Sequence, residues 1–159
     1  MRSIASLIMS LAILLPGTTS ANEAAIEAMA EYLMFQEYES GIILPQQIDE
    51  SVFRAVTFID TRDVEQFEKQ TIAGAMHIEW RQVLERMEEI PTDQKVIVFC
   101  NTGSLSAQAA FALRVAGFDN VVVMQSGFLG WLENAAGQTC SSTDSFGSPF
   151  PWLLCSSTR

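Results

Sequence analysis

Two short runs, Val96-Ile97-Val98-Phe99 and Val121-Val122-Val123-Met124, constrain the fold of this chain most. Neither alternates apolar with polar residues, so each reads as a strand covered on both faces, the pattern of a parallel sheet. The segment between them has helical spacing. It begins near Ser104 or Leu105, carries Leu105, Ala109, Ala112, Leu113 and Ala116, and stops at Gly117, which suits the left-handed position past a helix end. Two parallel strands joined through a helix make a right-handed crossover.

The same alternation extends upstream. Val56 to Ile59 predicts a strand, and Asp63 predicts the N-cap of a helix with Gln66 three residues on and Val64 and Phe67 facing inward. Gly74 to Ile78 predicts a turn and a short strand. Trp80, Val83, Leu84 and Met87 fall at i, i+3, i+4 and i+7, the period of an amphipathic helix that Pro91 then ends. Nearer the start, Asn22 to Glu39 holds helix formers without Gly or Pro, with Ile26, Ala30, Leu33 and Glu37 along one stripe and Gly41 closing it. Ile42 to Leu44 fits a short strand, Pro45 opens a short helix through Ile48, and Phe128 to Ala135 fits a last helix. The whole reads as an α/β fold with a mostly parallel central sheet and helices on both faces.

The ends differ in composition. Arg2, the apolar run Ile4 to Leu15, the breakers Pro16 and Gly17, and small Thr19, Ser20 and Ala21 form the pattern of a cleaved secretory signal over residues 1–21. An apolar run of about 12 residues is short against the ~20 that span a bilayer, so no stable membrane anchor is expected. Residues 22–40 then form a helical segment, 41–136 the α/β domain, and 137–159 a Ser-, Thr-, Pro- and Cys-containing tail. The full chain has 19 acidic and 9 basic side chains, a formal charge of −10. Losing Arg2 with the leader leaves 8 basic residues and a charge of −11. Such a balance excludes nucleic acid, which is held by Lys and Arg on phosphates. A periplasmic or secreted location follows from the leader.

Of three cysteines, Cys100 has the most informative position. It directly follows the run Val96–Phe99 and precedes Asn101-Thr102-Gly103-Ser104-Leu105-Ser106, a short loop feeding a helix. Ligands of open parallel sheets bind beyond the carboxyl ends of the strands. Successive N–H groups of a tight loop and a helix N-terminus both favour thiolate, the nucleophilic form. Gly103 permits the dihedral angles that a curled loop demands. A cysteine at a strand end is also a common packing residue, so position alone leaves catalysis and packing both open.

Four ordered motifs add to this: Phe58-Ile59-Asp60-Thr61-Arg62, Gly74-Ala75-Met76-His77-Ile78, Cys100 through Ser106, and Ser126-Gly127-Phe128-Leu129-Gly130-Trp131. Over residues 41–136 the chain resembles a single-domain rhodanese. The resemblance implies a sulfurtransferase fold and a persulfide mechanism that needs no metal or organic cofactor. It implies Cys100 as the sulfur-carrying nucleophile, with the amides of Asn101, Thr102, Gly103, Ser104 and Leu105 as substrate-binding cradle. Asp60 and Arg62 match the family's Asp-x-Arg and, with Ser106, are expected to support the loop. His77 falls where the family varies and is expected to be structural. The partners implied are a small-molecule or protein-bound sulfane-sulfur donor and a nucleophilic acceptor, a thiol or cyanide.

The loop departs from many rhodaneses in lacking Arg or Lys, the residues that hold an anionic donor such as thiosulfate through charge-assisted bonds. With the acidic balance, this predicts weak use of thiosulfate. Six residues after Cys100 stands Ser106 where phosphatases of related architecture carry the arginine of Cys-x5-Arg, so phosphatase chemistry is not expected. Leu105 is expected to be the first core residue of the following helix, the alternative being a place at the pocket mouth that makes the entrance more apolar. In an oxidising compartment Cys140 and Cys155 can pair, closing a loop of about 16 residues worth about 3 kcal/mol in the chain-entropy model. Alternatively one of them reaches Cys100 as a resolving thiol in a redox device. A different class of reading keeps the fold and Cys100 in a non-catalytic binding or sensing module. Phe146, Phe150 and Trp152 are expected to cover an apolar edge of the domain, the alternative being a partner-binding patch.

Overall fold

The computed structural model describes residues 20–37 and 40–137. The leader before Ser20, and Cys140, Cys155, Phe146, Phe150 and Trp152 in the tail, lie outside the described residues.

Helix α1 (Ala21–Phe35) precedes β1 (Ile42–Ile43), α2 (Glu50–Ala55), β2 (Val56–Asp60), α3 (Val64–Lys69), β3 (Met76–His77), β4 (Lys95–Phe99), α4 (Ser104–Val115), β5 (Val121–Met124) and α5 (Gly127–Gly137). The strands form one sheet in the order β1-β5-β4-β2-β3, every pairing parallel. Strand β4 lies at the centre, paired with β2 over Val56–Asp60 and with β5 over Val121–Val123. All carboxyl ends therefore open onto one edge.

The uninterrupted apolar runs feed two cores. Val96 and Val98 of β4 face one side, with Ile59, Val121 and the α4 residues Ala109, Ala110 and Leu113. Ile97 and Phe99 face the other, with Phe58, Val122, Met124 and the α5 residues Phe128 and Trp131. Each fully buried aliphatic or Phe side chain contributes about 1.5–3 kcal/mol by leaving water.

Helix α4 ends where its sequence predicts. Gly117 has φ +98°, its amide donates to the Arg114 carbonyl, and the Phe118 amide donates to the Leu113 carbonyl, the paired bonds of a Schellman motif. Asp63 caps α3 through the Gln66 amide.

Several elements differ from their sequence pattern. The helix expected from Trp80 is instead two 3₁₀ turns, Trp80–Gln82 and Met87–Glu89. Val83 is buried but Leu84 is 48% exposed, so the apolar stripe breaks. The Arg86 guanidinium folds back to the His77 carbonyl and Glu89, holding the segment in turns. Within α3, Val64 is exposed and only Phe67 packs, stacked on His77. Helix α2, capped by Asp49, had no apolar stripe to announce it. Helix α1 stops at Phe35, and Ile26, Ala30 and Leu33 are exposed. Its packed stripe is Ala28, Met29 and Tyr32, because Tyr32 meets the Phe111 ring edge-on and accepts a hydrogen bond from Arg114 Nη1.

No helix among the described residues is long and apolar enough to cross a membrane.

Candidate active site

The end of β4 is fixed before the chain turns. The amide and hydroxyl of Thr61 both donate to the Phe99 carbonyl, at 2.8 and 3.0 Å. Cys100 follows, 2% exposed. The next residues curl under it: Gly103 takes φ +98° at the N-cap of α4, a conformation that costs a side-chain-bearing residue but not glycine. Its amide donates to Cys100 Sγ at 3.3 Å. The Ser106 hydroxyl lies 3.0 Å from the Gly103 carbonyl and 3.7 Å from Sγ, within reach of giving its one proton to either.

Burial on its own pushes the Cys100 thiol up, since charge is disfavoured away from water. The amide and hydroxyl of Ser106 and the amides of Thr102 and Leu105 oppose that, and the thiol ends below the ordinary thiol range. Converging donors with an acceptor at the centre suit a sulfur anion.

The loop is suspended from the β5–α5 turn. The Phe128 amide donates to the Cys100 carbonyl at 2.7 Å and the Leu129 amide to the Asn101 carbonyl at 3.0 Å. Ser126 and Gly127 turn the chain with φ of +62° and +52°. A Cβ at Gly127 would stand 2.3 Å from the Cys100 carbonyl oxygen, so this approach requires glycine. In the sequence Gly127 stands only within the Ser126–Trp131 motif. Its signal is a Ser-Gly pair one residue past an apolar run, after Gln125.

Asp60 and Arg62 lie beside the loop as a buried ion pair. Arg62 Nη2 stands 2.6 Å from Asp60 Oδ2 and Nε 2.9 Å from Oδ1. Thr71 donates to the same carboxylate, and Arg62 also donates to the Gln70 carbonyl at 2.7 Å. The guanidinium lies over the Phe128 ring, 4.2 Å from its centroid, and Nη1 reaches Asn101 Oδ1 at 3.4 Å. The Asn101 amide group in turn donates to Gln66 at 2.6 Å. The cation nearest the loop is thus committed to protein acceptors.

The predicted cradle is brought together, with changes in detail. Thr102, Gly103, Leu105 and Ser106 direct backbone donors at Sγ, while Asn101 contributes its side chain to the Arg62–Gln66 chain. Thr102 and Ser104 are exposed at the rim. Leu105 is not the first core residue of α4: it is 37% exposed, and the buried stripe begins at Ser106. The stripe shifts by one residue because the Ser106 hydroxyl is used inside the loop. His77 Nε2 donates to the Arg62 carbonyl at 2.8 Å.

The family model of the Rhodanese-like domain matches residues 44–134. This chain belongs to the rhodanese-like domain family. Among curated proteins it is 34% identical over 89 residues to the thiosulfate sulfurtransferase GlpE of Haemophilus influenzae, covering 56% of this chain and 85% of that one. It is 28% identical over 86 residues to the putative sulfur carrier protein YrkF of Bacillus subtilis, covering 54% of this chain. The chain spans 45% of that relative's length. The crystal structure of a rhodanese-related protein from Thermoplasma volcanium superposes with a TM-score of 0.55 at 27% identity, over 61% of this chain and 93% of that one. The rhodanese-like fold accounts for the all-parallel sheet and for the cysteine loop at its central strand.

Proposed function

We propose that this protein is a sulfurtransferase whose carrier is Cys100. The observation that carries the reading is the convergence of the Gly103 amide and the Ser106 hydroxyl on a buried Sγ whose thiol is held below its ordinary range. The Cys100 thiolate attacks the outer sulfur of a sulfane donor. An S–S bond forms to the enzyme, the donor's S–S bond breaks, and its electron pair leaves with the donor remnant, sulfite in the case of thiosulfate. The loop amides then hold the terminal sulfur of the persulfide. An acceptor thiolate attacks that sulfur and the Cys100 thiolate departs, so the enzyme returns unchanged. No proton acceptor beyond solvent is required, because both attacking groups enter as anions.

The donor side favours a neutral or protein-bound persulfide. Residues 101–106 carry no cation, and Arg62 is already paired with Asp60, so a thiosulfate dianion finds no cation on the loop itself and none free at Arg62. From the leader pattern of residues 1–21 we also propose a periplasmic or secreted location, with cleavage after Ala21. That cleavage removes Ser20, whose hydroxyl and the Glu23 carboxylate form the capping box of α1.

Intact-mass analysis tests the assignment. After incubation with a sulfane donor the protein gains one sulfur, and the adduct disappears on reduction and in Cys100→Ser. Absence of any adduct with thiosulfate, a glutathione persulfide and an inorganic polysulfide overturns the proposal in favour of a non-catalytic module.

A further inference from the structure

A cavity of about 360 Å³ lies beside the Thr102–Gly103 turn, between Tyr32 of α1, helix α4 and the β1–β5 edge. Its wall is largely apolar, with Ile42, Ala107, Phe111 and Val123, and one cationic group enters it, the guanidinium of Arg114. That group is half-buried and holds no carboxylate among the described residues. Every other described arginine has one: Arg54 with Glu50, Arg62 with Asp60, Arg81 with Glu79 and Arg86 with Glu89. In a chain with 19 acidic and 9 basic side chains, an arginine at a cavity wall without a carboxylate partner is the exception among the described residues.

Arg114 is fixed but not saturated. Nε and Nη2 donate to the Val121 carbonyl and Nη1 to the Tyr32 hydroxyl, three of the five N–H groups of a guanidinium. Tyr32, having accepted with its oxygen, keeps its own proton to donate. The guanidinium also lies flat on Gly41, where a Cβ would stand 1.7 Å from Nη2. Glycine at that position, with φ +79°, is what leaves the cation room at the cavity wall. Free N–H donors and a phenol O–H beside an apolar chamber of this size are the elements of a small-molecule site: apolar walls supply affinity and a few placed donors fix orientation.

We propose that this cavity binds a small monocarboxylate with an apolar or aromatic body. The carboxylate would meet the Arg114 guanidinium and the Tyr32 hydroxyl, and the body would lie against Phe111, Ile42 and Val123. One cation in the lining of the cavity, in an acidic protein, selects one negative charge over two. The site is separate from Cys100 chemistry, although Gly103 belongs to both, lining the cavity and donating to Sγ.

The test is a ¹⁵N-resolved NMR titration of the whole chain with phenylacetate, against phenylacetamide as a neutral match in shape. The expected result is saturable shifts at Ile42, Gly103 and Ala107, and at least tenfold tighter binding of the acid. Arg114→Gln should weaken the acid at least tenfold, and Cys100→Ser should leave it within twofold, so this site stands or falls apart from the sulfurtransferase assignment. Equal binding of acid and amide, no saturable shift, or an unchanged affinity in Arg114→Gln overturns the proposal. Should Arg114→Gln lose its dispersed spectrum, Ala107→Leu replaces it. Leucine at this exposed position suits the helix and fills the chamber while Arg114 stays in place, and phenylacetate binding that survives it overturns the proposal equally.

Discussion

At the scale of single residues, Cys100 is held between opposed effects. Burial disfavours its anion, while the Ser106 amide and hydroxyl and the neighbouring amides favour it, and the donors win. The pH dependence follows in sign. A thiol whose folded pKa lies below its unfolded value contributes stability above the unfolded pKa, and that contribution is lost as pH falls through the folded one. Alkylation of Cys100 by iodoacetamide should reach half its maximal rate at a pH below about 8.5, the value for a free thiol. In Ser106→Ala the midpoint should move upward and the rate at neutral pH fall, because a donor to the thiolate is gone. An unchanged midpoint would leave the backbone amides as the whole cause. The cysteine and Gly103 were legible in the sequence because a strand end and a turn glycine are local signals. Leu105 was misplaced for a physical reason: counting apolar residues cannot find a buried stripe that starts on a serine whose hydroxyl is satisfied inside a loop.

At the scale of elements, the loop depends on its neighbour as much as on itself. The two bonds from Phe128 and Leu129 and the close passage at Gly127 join the start of α5 to the Cys100 loop. Gly127→Ala introduces a Cβ against the Cys100 carbonyl at a positive φ, and should cost about 1–3 kcal/mol in urea unfolding while slowing persulfide formation. Wild-type stability and rate in that variant would show that the turn relaxes freely. Strands β2, β4 and β5 were readable as runs because both faces are buried, and α4 because Gly117 ends it. The 80–90 segment was not. Its periodicity was helical, but Arg86 binding back to the His77 carbonyl outweighs a stripe of four residues, one of which is exposed. Helix α1 kept its propensity and its capping box, yet which face it packs is decided by Tyr32 and Arg114, 82 residues apart, a distance no local pattern spans.

At the scale of the whole molecule, a charge of −10 surrounds a loop without cations. Repulsion of a dianion weakens as salt screens it, with a Debye length near 8 Å at physiological ionic strength. For the proposed activity, kcat/KM with thiosulfate should therefore rise severalfold between low and physiological salt, whereas an uncharged persulfide donor should change less than twofold. A thiosulfate rate that falls with salt would reveal an attractive site that the loop does not contain. The parallel topology was legible from alternating strand and helix signals, whereas the meeting of the Cys100 loop with the β5–α5 turn depends on strand order. That meeting has a mechanical meaning. Helix α5 is a rod of 11 residues, about 16 Å long, gripping the cysteine loop at one end and passing the chain on to residues 138–159 at the other. A load borne by that tail, whether a tether, a crosslink or a docked partner, is delivered along the rod to the two hydrogen bonds that keep the sulfur in its cradle.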